Sequence, residues 1–129
     1  MESGEFFVIL IMEKSTVKDK SFKFAVEIIN LYRQLQEQRE FVLSKQILRS
    51  GTSIGANVQE AQQAQSKPDF ISKMSIALKE AQETEYWILL FKESKLAQFD
   101  YEHYLNLIEE LKRMLISIIK TSKENLTKK

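Results

Sequence analysis

The chain has 129 residues, a length that favours a single domain. It contains no Cys, which excludes disulfides, Cys-ligated zinc and thiol chemistry. A formal charge of +1 lacks the basic excess of an obvious nucleic-acid binder, while 43% hydrophobic and 29% charged residues describe a globular chain. With one Pro and three Gly, few breakers interrupt it, and the composition predicts a mostly helical protein.

The first feature is a short apolar run, Phe6 to Met12. Crossing a bilayer takes about 20 residues. The acidic Glu2 and Glu5 stand where a signal peptide carries basic residues. Residues 1–17 therefore read as an N-terminal extension. Either the apolar run is a docking or poorly ordered segment, or Met12 is the true start and residues 1–11 come from an over-extended reading frame. With no export signal or membrane segment, the expected location is the cytoplasm.

Four helices follow. The first is expected from about Lys20 to Gln38, where Phe24, Ile28, Leu31 and Leu35 recur at helical spacing. Ser44 is the expected N-cap of the second, from about Lys45 to Gln65. Ser66-Lys67-Pro68-Asp69 reads as the start of the third, to about Leu96, with Pro tolerated in the first turn and Ser-x-x-Asp resembling a capping box. Asp100 caps the fourth, whose stripe is Tyr104, Ile108, Leu111, Leu115 and Ile118, fading near Leu126. The expected architecture is an all-α, antiparallel up-down four-helix bundle over residues 18–126, with a basic tail at 127–129.

The second helix carries two stripes. Ile47, Gly51, Ile54, Val58 and Ala61 are apolar; Gln46, Arg49, Ser53, Asn57 and Glu60 are polar. Gly inside a helix costs roughly 1 kcal/mol against Ala, so Gly51, Gly55 and the small Ala56 predict a close helix approach. On the third helix Phe70, Ile71, Met74, Ala77, Leu78, Ala81, Ile88 and Leu89 share a face, with Glu85 in its middle. A buried carboxylate needs a partner, and Arg49 is the expected one. Arg49, Asn57, Glu60 and Glu85 thus form an expected polar seam, against the plainer reading of a solvent face. Ile76, Trp87, Leu90 and Phe91 lie on another side of the third helix. A second apolar face predicts a homo-oligomer interface, unless the Phe6–Met12 segment covers it.

Known reaction chemistries are absent. Asp100-x-x-His103 is a helix start, because a di-iron bundle needs two Glu-x-x-His motifs and the chain has one His. Ser50 to Gly55 resembles a phosphate loop but lacks its Lys and preceding strand. Glu80, Glu83 and Glu85 read as a solvated or ion-paired face. No catalytic residue, metal site or cofactor is expected.

Charge is divided along the chain: +1 over residues 1–49, −5 over 50–110 and +5 over 111–129. Lys120, Lys123, Lys128 and Lys129 favour the C-terminal helix dipole and also suit a polyanion. Lys45 and Arg49, one helical turn apart, add candidate phosphate contacts.

Residues 46–64, QILRSGTSIGANVQEAQQA, and 66–93, SKPDFISKMSIALKEAQETEYWILLFKE, resemble the four-helix-bundle proteins encoded in 23S rRNA intervening sequences, which often carry a ribosomal-protein label. FKFAVEIINLYRQL of the first helix adds a weaker likeness. The resemblance implies an antiparallel protomer assembled into a ring-like homopentamer. It also implies kinship with accessory proteins of diversity-generating retroelements, which bind nucleic acid and a reverse transcriptase through basic surfaces. A small ribosomal protein would carry a large basic excess, which this chain does not. The leading expectation is a non-enzymatic homo-oligomer associated with RNA or DNA. The alternative is an oligomeric scaffold for a protein partner, favoured by the acidic middle.

Overall fold

A four-three alternation of buried residues organises the first helix: Val17, Ser21, Phe24, Ile28, Leu31 and Leu35. In the computed structural model the backbone is described for residues 3–127 and the side chains for 16–126. Four helices follow one another through short turns: α1 (Ser3–Glu37), α2 (Leu43–Ala61), α3 (Lys67–Ser94) and α4 (Tyr101–Thr127). Each packs on its neighbours in the chain, and α1 and α4 close the square. The all-α four-helix bundle expected from the periodicity is the observed fold.

The first helix begins earlier than the expected Lys20, and residues 3–17 are part of it. The alternation runs through Ser21, whose polarity hides it in the sequence, to a fully buried Val17. The Ser21 hydroxyl donates to the Lys18 carbonyl, so its burial leaves no orphaned donor. The side chains of Phe6 to Met12 lie outside the described residues.

The small residues of α2 draw α1 close, as expected. A Cβ on Gly51 would lie 2.8 Å from Ile28 Cγ1, and one on Gly55 would lie 3.1 Å from the Ser21 carbonyl oxygen. Ile47, Ile54, Val58 and Ala61 complete this core face.

The face of α3 is rotated from its expected position. Phe70, Met74, Ala77, Ala81, Thr84, Ile88 and Phe91 are buried. Leu89 is exposed and Glu85 half-buried. Small residues of α2 set this phase. The Thr84 hydroxyl hydrogen-bonds the Ser50 hydroxyl at 2.8 Å, beside Gly51, and also the Glu80 carbonyl.

Two start signals work as expected. Ser66 Oγ accepts from the Asp69 N–H at 3.1 Å, and Asp100 Oδ1 accepts from the His103 N–H at 3.1 Å. The Asp69 carboxylate also accepts from Lys73 Nζ (3.1 Å) and the Gln65 N–H (3.3 Å). These bonds, that of Lys73 foremost, hold its pKa below the ordinary value of 3.8.

The α1–α4 seam is the loosest. Charged groups bridge it, Lys20 to Glu110 and Glu27 to His103, and Tyr104 packs beneath them. An open cleft of about 260 Å³ lies between Phe24, Leu107 and Leu111.

Gly51→Val is expected to destabilise the bundle by about 2 kcal/mol or more in urea denaturation, since its branches must displace Ile28. Combining it with Ile28→Ala should cost less than the sum of the two single losses. Asp69 stabilises α3 as a carboxylate, fully above pH 3.8, and that contribution is lost as pH falls through its lower native value. Stability of Asp69→Asn should therefore fall less steeply than wild type below that pH, as read by urea midpoints at successive pH values.

Candidate nucleic-acid interface

The candidate basic residues start in the first turn of α2. Ser44 is not its N-cap. Val42 holds that position without a side-chain cap. The Glu40 carboxylate reaches forward instead, accepting from the Val42 N–H (3.2 Å) and the Ser44 N–H (2.6 Å). Ser44 is buried; its hydroxyl donates to the Glu40 carbonyl at 2.8 Å and accepts from Gln36 Nε2 at 2.9 Å. Lys45 projects from this turn, exposed and without an ion pair among the described residues.

Arg49 follows one turn later with its charge engaged. Its guanidinium donates to Glu80 Oε2 at 3.2 Å and to the Glu83 carboxylate. Partial burial works against that charge, but Glu83 and Glu80 outweigh it and raise the pKa. The same Glu83 oxygen accepts from Trp87 Nε1 at 3.1 Å. A phosphate would have to displace two carboxylates to reach Arg49.

The expected Arg49–Glu85 pair is corrected. Glu85 faces α4, where Lys112 Nζ lies 3.0 Å from its Oε1. The helical phase explains this: Glu80 and Glu83 flank the core on the α2 side, and Glu85 on the α4 side. The polar seam of four residues does not form within the protomer. Asn57 Nδ2 donates to the Ser53 carbonyl of its own helix, and Glu60 is exposed.

Lys120 and Lys123 are exposed near the end of α4, at the opposite end of the bundle from Lys45. At about 1.5 Å per helical residue, the two groups are roughly 25 Å apart along the axis. Lys128 and Lys129 lie outside the described residues. The acidic middle of the chain is largely matched from within: Arg49 holds Glu80 and Glu83, Lys112 holds Glu85, Lys92 holds Glu102 (2.7 Å) and Lys20 holds Glu110.

Of the residues expected at an oligomer interface, Ile76 is exposed and Trp87 and Leu90 are half-buried. Phe91 is a correction: it is fully buried, edge-on to Phe99 with ring centroids 5.6 Å apart. It lies on the core side because the face runs through Thr84. Other large apolar side chains are uncovered, including Phe22 (68% exposed), Leu89 and Ile116. Phe22 borders a groove of about 530 Å³ floored by Ala25, Gly55 and Ala56 between α1 and α2.

Sequence reasoning passed over the turns at the Lys45 end. Arg39 and Lys95 both adopt left-handed backbone, with φ of 63° and 55°. Phe41, Val42 and Leu96 stand exposed beside them. All three glycines fall within helices, so the left-handed positions ending α1 and α3 fall to side-chain-bearing residues. No local signal marked which residues these would be.

The family model described as 23S rRNA-intervening sequence protein matches residues 13–117. A solved structure from Bacteroides thetaiotaomicron, described as a protein with unknown function from the S23 ribosomal protein family, is 59% identical. The similarity covers 84% of this chain and 98% of that one, with a TM-score of 0.78. No curated protein matches the chain.

Glu83 joins Arg49 to Trp87, the one Trp in the chain, which makes the cluster directly observable. Glu83→Ala is expected to shift the emission of Trp87 and to cost about 1 kcal/mol or less, because Arg49 is half exposed and keeps Glu80.

Proposed function

The chain belongs to the 23S rRNA-intervening sequence protein family, and from that premise we propose that it is a non-enzymatic homo-oligomer, a pentamer, that associates with RNA or DNA. The observation that carries the reading is the distribution of unmatched charge. Most carboxylates of the middle third are drawn into ion pairs within the protomer, while several cations make none among the described residues, among them Lys45 at one end and Lys120 and Lys123 at the other. A near-neutral protein thus presents cations at its ends to a polyanion. Assembly multiplies them, and many weak phosphate contacts sum into strong, salt-sensitive binding.

Self-association draws on the apolar side chains left uncovered. Ile76 is exposed and Trp87 and Leu90 are half-buried along one side of α3, and Phe22 on α1 and Ile116 on α4 are exposed on other faces. Trp is enriched in interface cores, which favours the α3 side as the contact between copies. The family name supports RNA over DNA, and the S23 ribosomal family name of the structural neighbour points the same way. The groove beside Phe22 favours a second reading, an oligomeric scaffold that takes a protein partner there. No helix among the described residues is long and apolar enough to cross a membrane.

Light scattering after gel filtration is expected to return five protomer masses. Anisotropy with a structured RNA should show binding that weakens at least tenfold between 50 and 200 mM salt, if about four or more phosphates are contacted. Charge reversal at Lys45, Lys120 and Lys123 together should lower that affinity in a folded protein. An oligomer that ignores RNA at low salt, but retains a protein from nuclease-treated lysate, would establish the scaffold reading instead.

A further inference from the structure

The Lys45 end of the bundle is built to hold its turns still. The Gln38 side-chain amide donates to the Gln98 carbonyl (2.6 Å) and accepts from the Gln98 N–H (2.8 Å), tying the α1–α2 turn to the α3–α4 turn. Glu40 fixes the first turn of α2 with two bonds. Beneath the second turn Phe91, Phe99, Tyr101 and Tyr104 interlock edge to face. On this braced platform Phe41 is 52% exposed, at the tip of a turn whose backbone it cannot leave cheaply.

Three cations share this end of the molecule with it: Arg39 two residues before, Lys45 four residues after, and Lys95 on the turn that Gln38 and Gln98 tie to this one. None makes an ion pair among the described residues. Carboxylates share this end: Glu40 and Asp100 hold backbone N–H groups at helix starts, and Glu102 pairs with Lys92. Glu37 and Glu93 remain exposed.

The backbone adds an independent observation. Arg39 and Lys95 occupy the left-handed positions at which Gly is the ordinary choice, and a side chain there is strained. Attraction to the helix C-terminus offsets part of that strain, but a cation one residue earlier would gain it without the strain. Both turns nevertheless keep a cation at the strained position, on the same end of the molecule. Strain of this kind persists where the side chain has work to do.

We infer that this end docks single-stranded RNA, with Phe41 as a stacking surface for a base and Arg39, Lys45 and Lys95 as phosphate contacts. The inference rests on the nucleic-acid reading above and locates its site. A base stacks on an exposed aromatic ring only when it is free of its own helix, so the strand must be unpaired. An uncharged apolar partner would account for Phe41, Val42 and Leu96, but not for two cations on strained backbone; an anionic membrane surface is the competitor the test must separate.

The test is anisotropy of the full-length protein with a labelled oligouridylate, set beside a blunt RNA hairpin and phosphatidylserine vesicles. The single strand is expected to bind more tightly than the hairpin. Phe41→Ala should weaken it about tenfold, and Phe41→Trp should restore it. Arg39→Gly with Lys95→Gly should reduce the log–log salt slope by about 1.4, while raising the thermal midpoint because the strain is relieved. A merely structural role for these residues would not separate binding from stability in that way. If wild type binds RNA and these variants bind equally well, the site is elsewhere and RNA association stands. Binding of the hairpin in preference, or of vesicles in place of either RNA, overturns the inference. Failure of wild type to bind either RNA removes the nucleic-acid reading with it.

Discussion

The close approach of α1 and α2 governs the rest of the bundle. Gly51 and Gly55 leave no room for a Cβ against Ile28 and the Ser21 carbonyl. With two turns of α2 pressed against α1, its next face meets α3 at the buried Ser50–Thr84 hydrogen bond. That contact sets the rotation of α3. It buries Phe91, leaves Leu89 outside, and divides the carboxylates of α3 between Arg49 on one side and Lys112 on the other. Two glycines unfavourable to an isolated helix thus decide which charges meet.

The charge pattern has a consequence that total charge conceals. Acidic residues are concentrated in α3 and the first half of α4, and their partners come from all four helices. Such exposed pairs add little stability each. Their larger effect is to neutralise most of the acidic middle from within, which leaves cations such as Lys45, Lys120 and Lys123 without an ion pair among the described residues. The composition of a near-neutral protein therefore understates what a polyanion would meet.

The fold was legible wherever a buried position required a large apolar residue. Phe24 to Leu35, Ile47 to Ala61 and Tyr104 to Ile118 are read directly from their spacing. Reading failed where the core uses small polar residues. Ser21 hid the continuation of α1, and Thr84 made Glu85 and Leu89 look central to α3. Ser44 looked like a cap because capping by Glu40 across a turn depends on backbone geometry that spacing does not encode. Of the candidate phosphate contacts, Lys45, Lys120 and Lys123 are exposed, as a polar position on an amphipathic helix implies. Arg49 was correctly placed on the surface side of α2, but its engagement with Glu80 and Glu83 depends on the phase of α3. The left-handed backbone at Arg39 and Lys95 was passed over because a turn without glycine gives no warning of it.

The seam between α1 and α4 bears on how the chain assembles. Every other helix contact joins neighbours along the sequence and closes a short loop; this one joins the two ends. Its chain-entropy cost is the largest of the four, and its packing the least extensive. The α2–α3 hairpin and its flanking contacts form without it, and closure comes last on the folding path. By the same reasoning it is the first contact to open in the native state, exposing Phe24 and Leu111 while α2 and α3 stay paired. Either terminal helix is then free to complete the bundle of a neighbouring copy, so exchange of α1 or α4 between protomers is a low-cost error built into the topology.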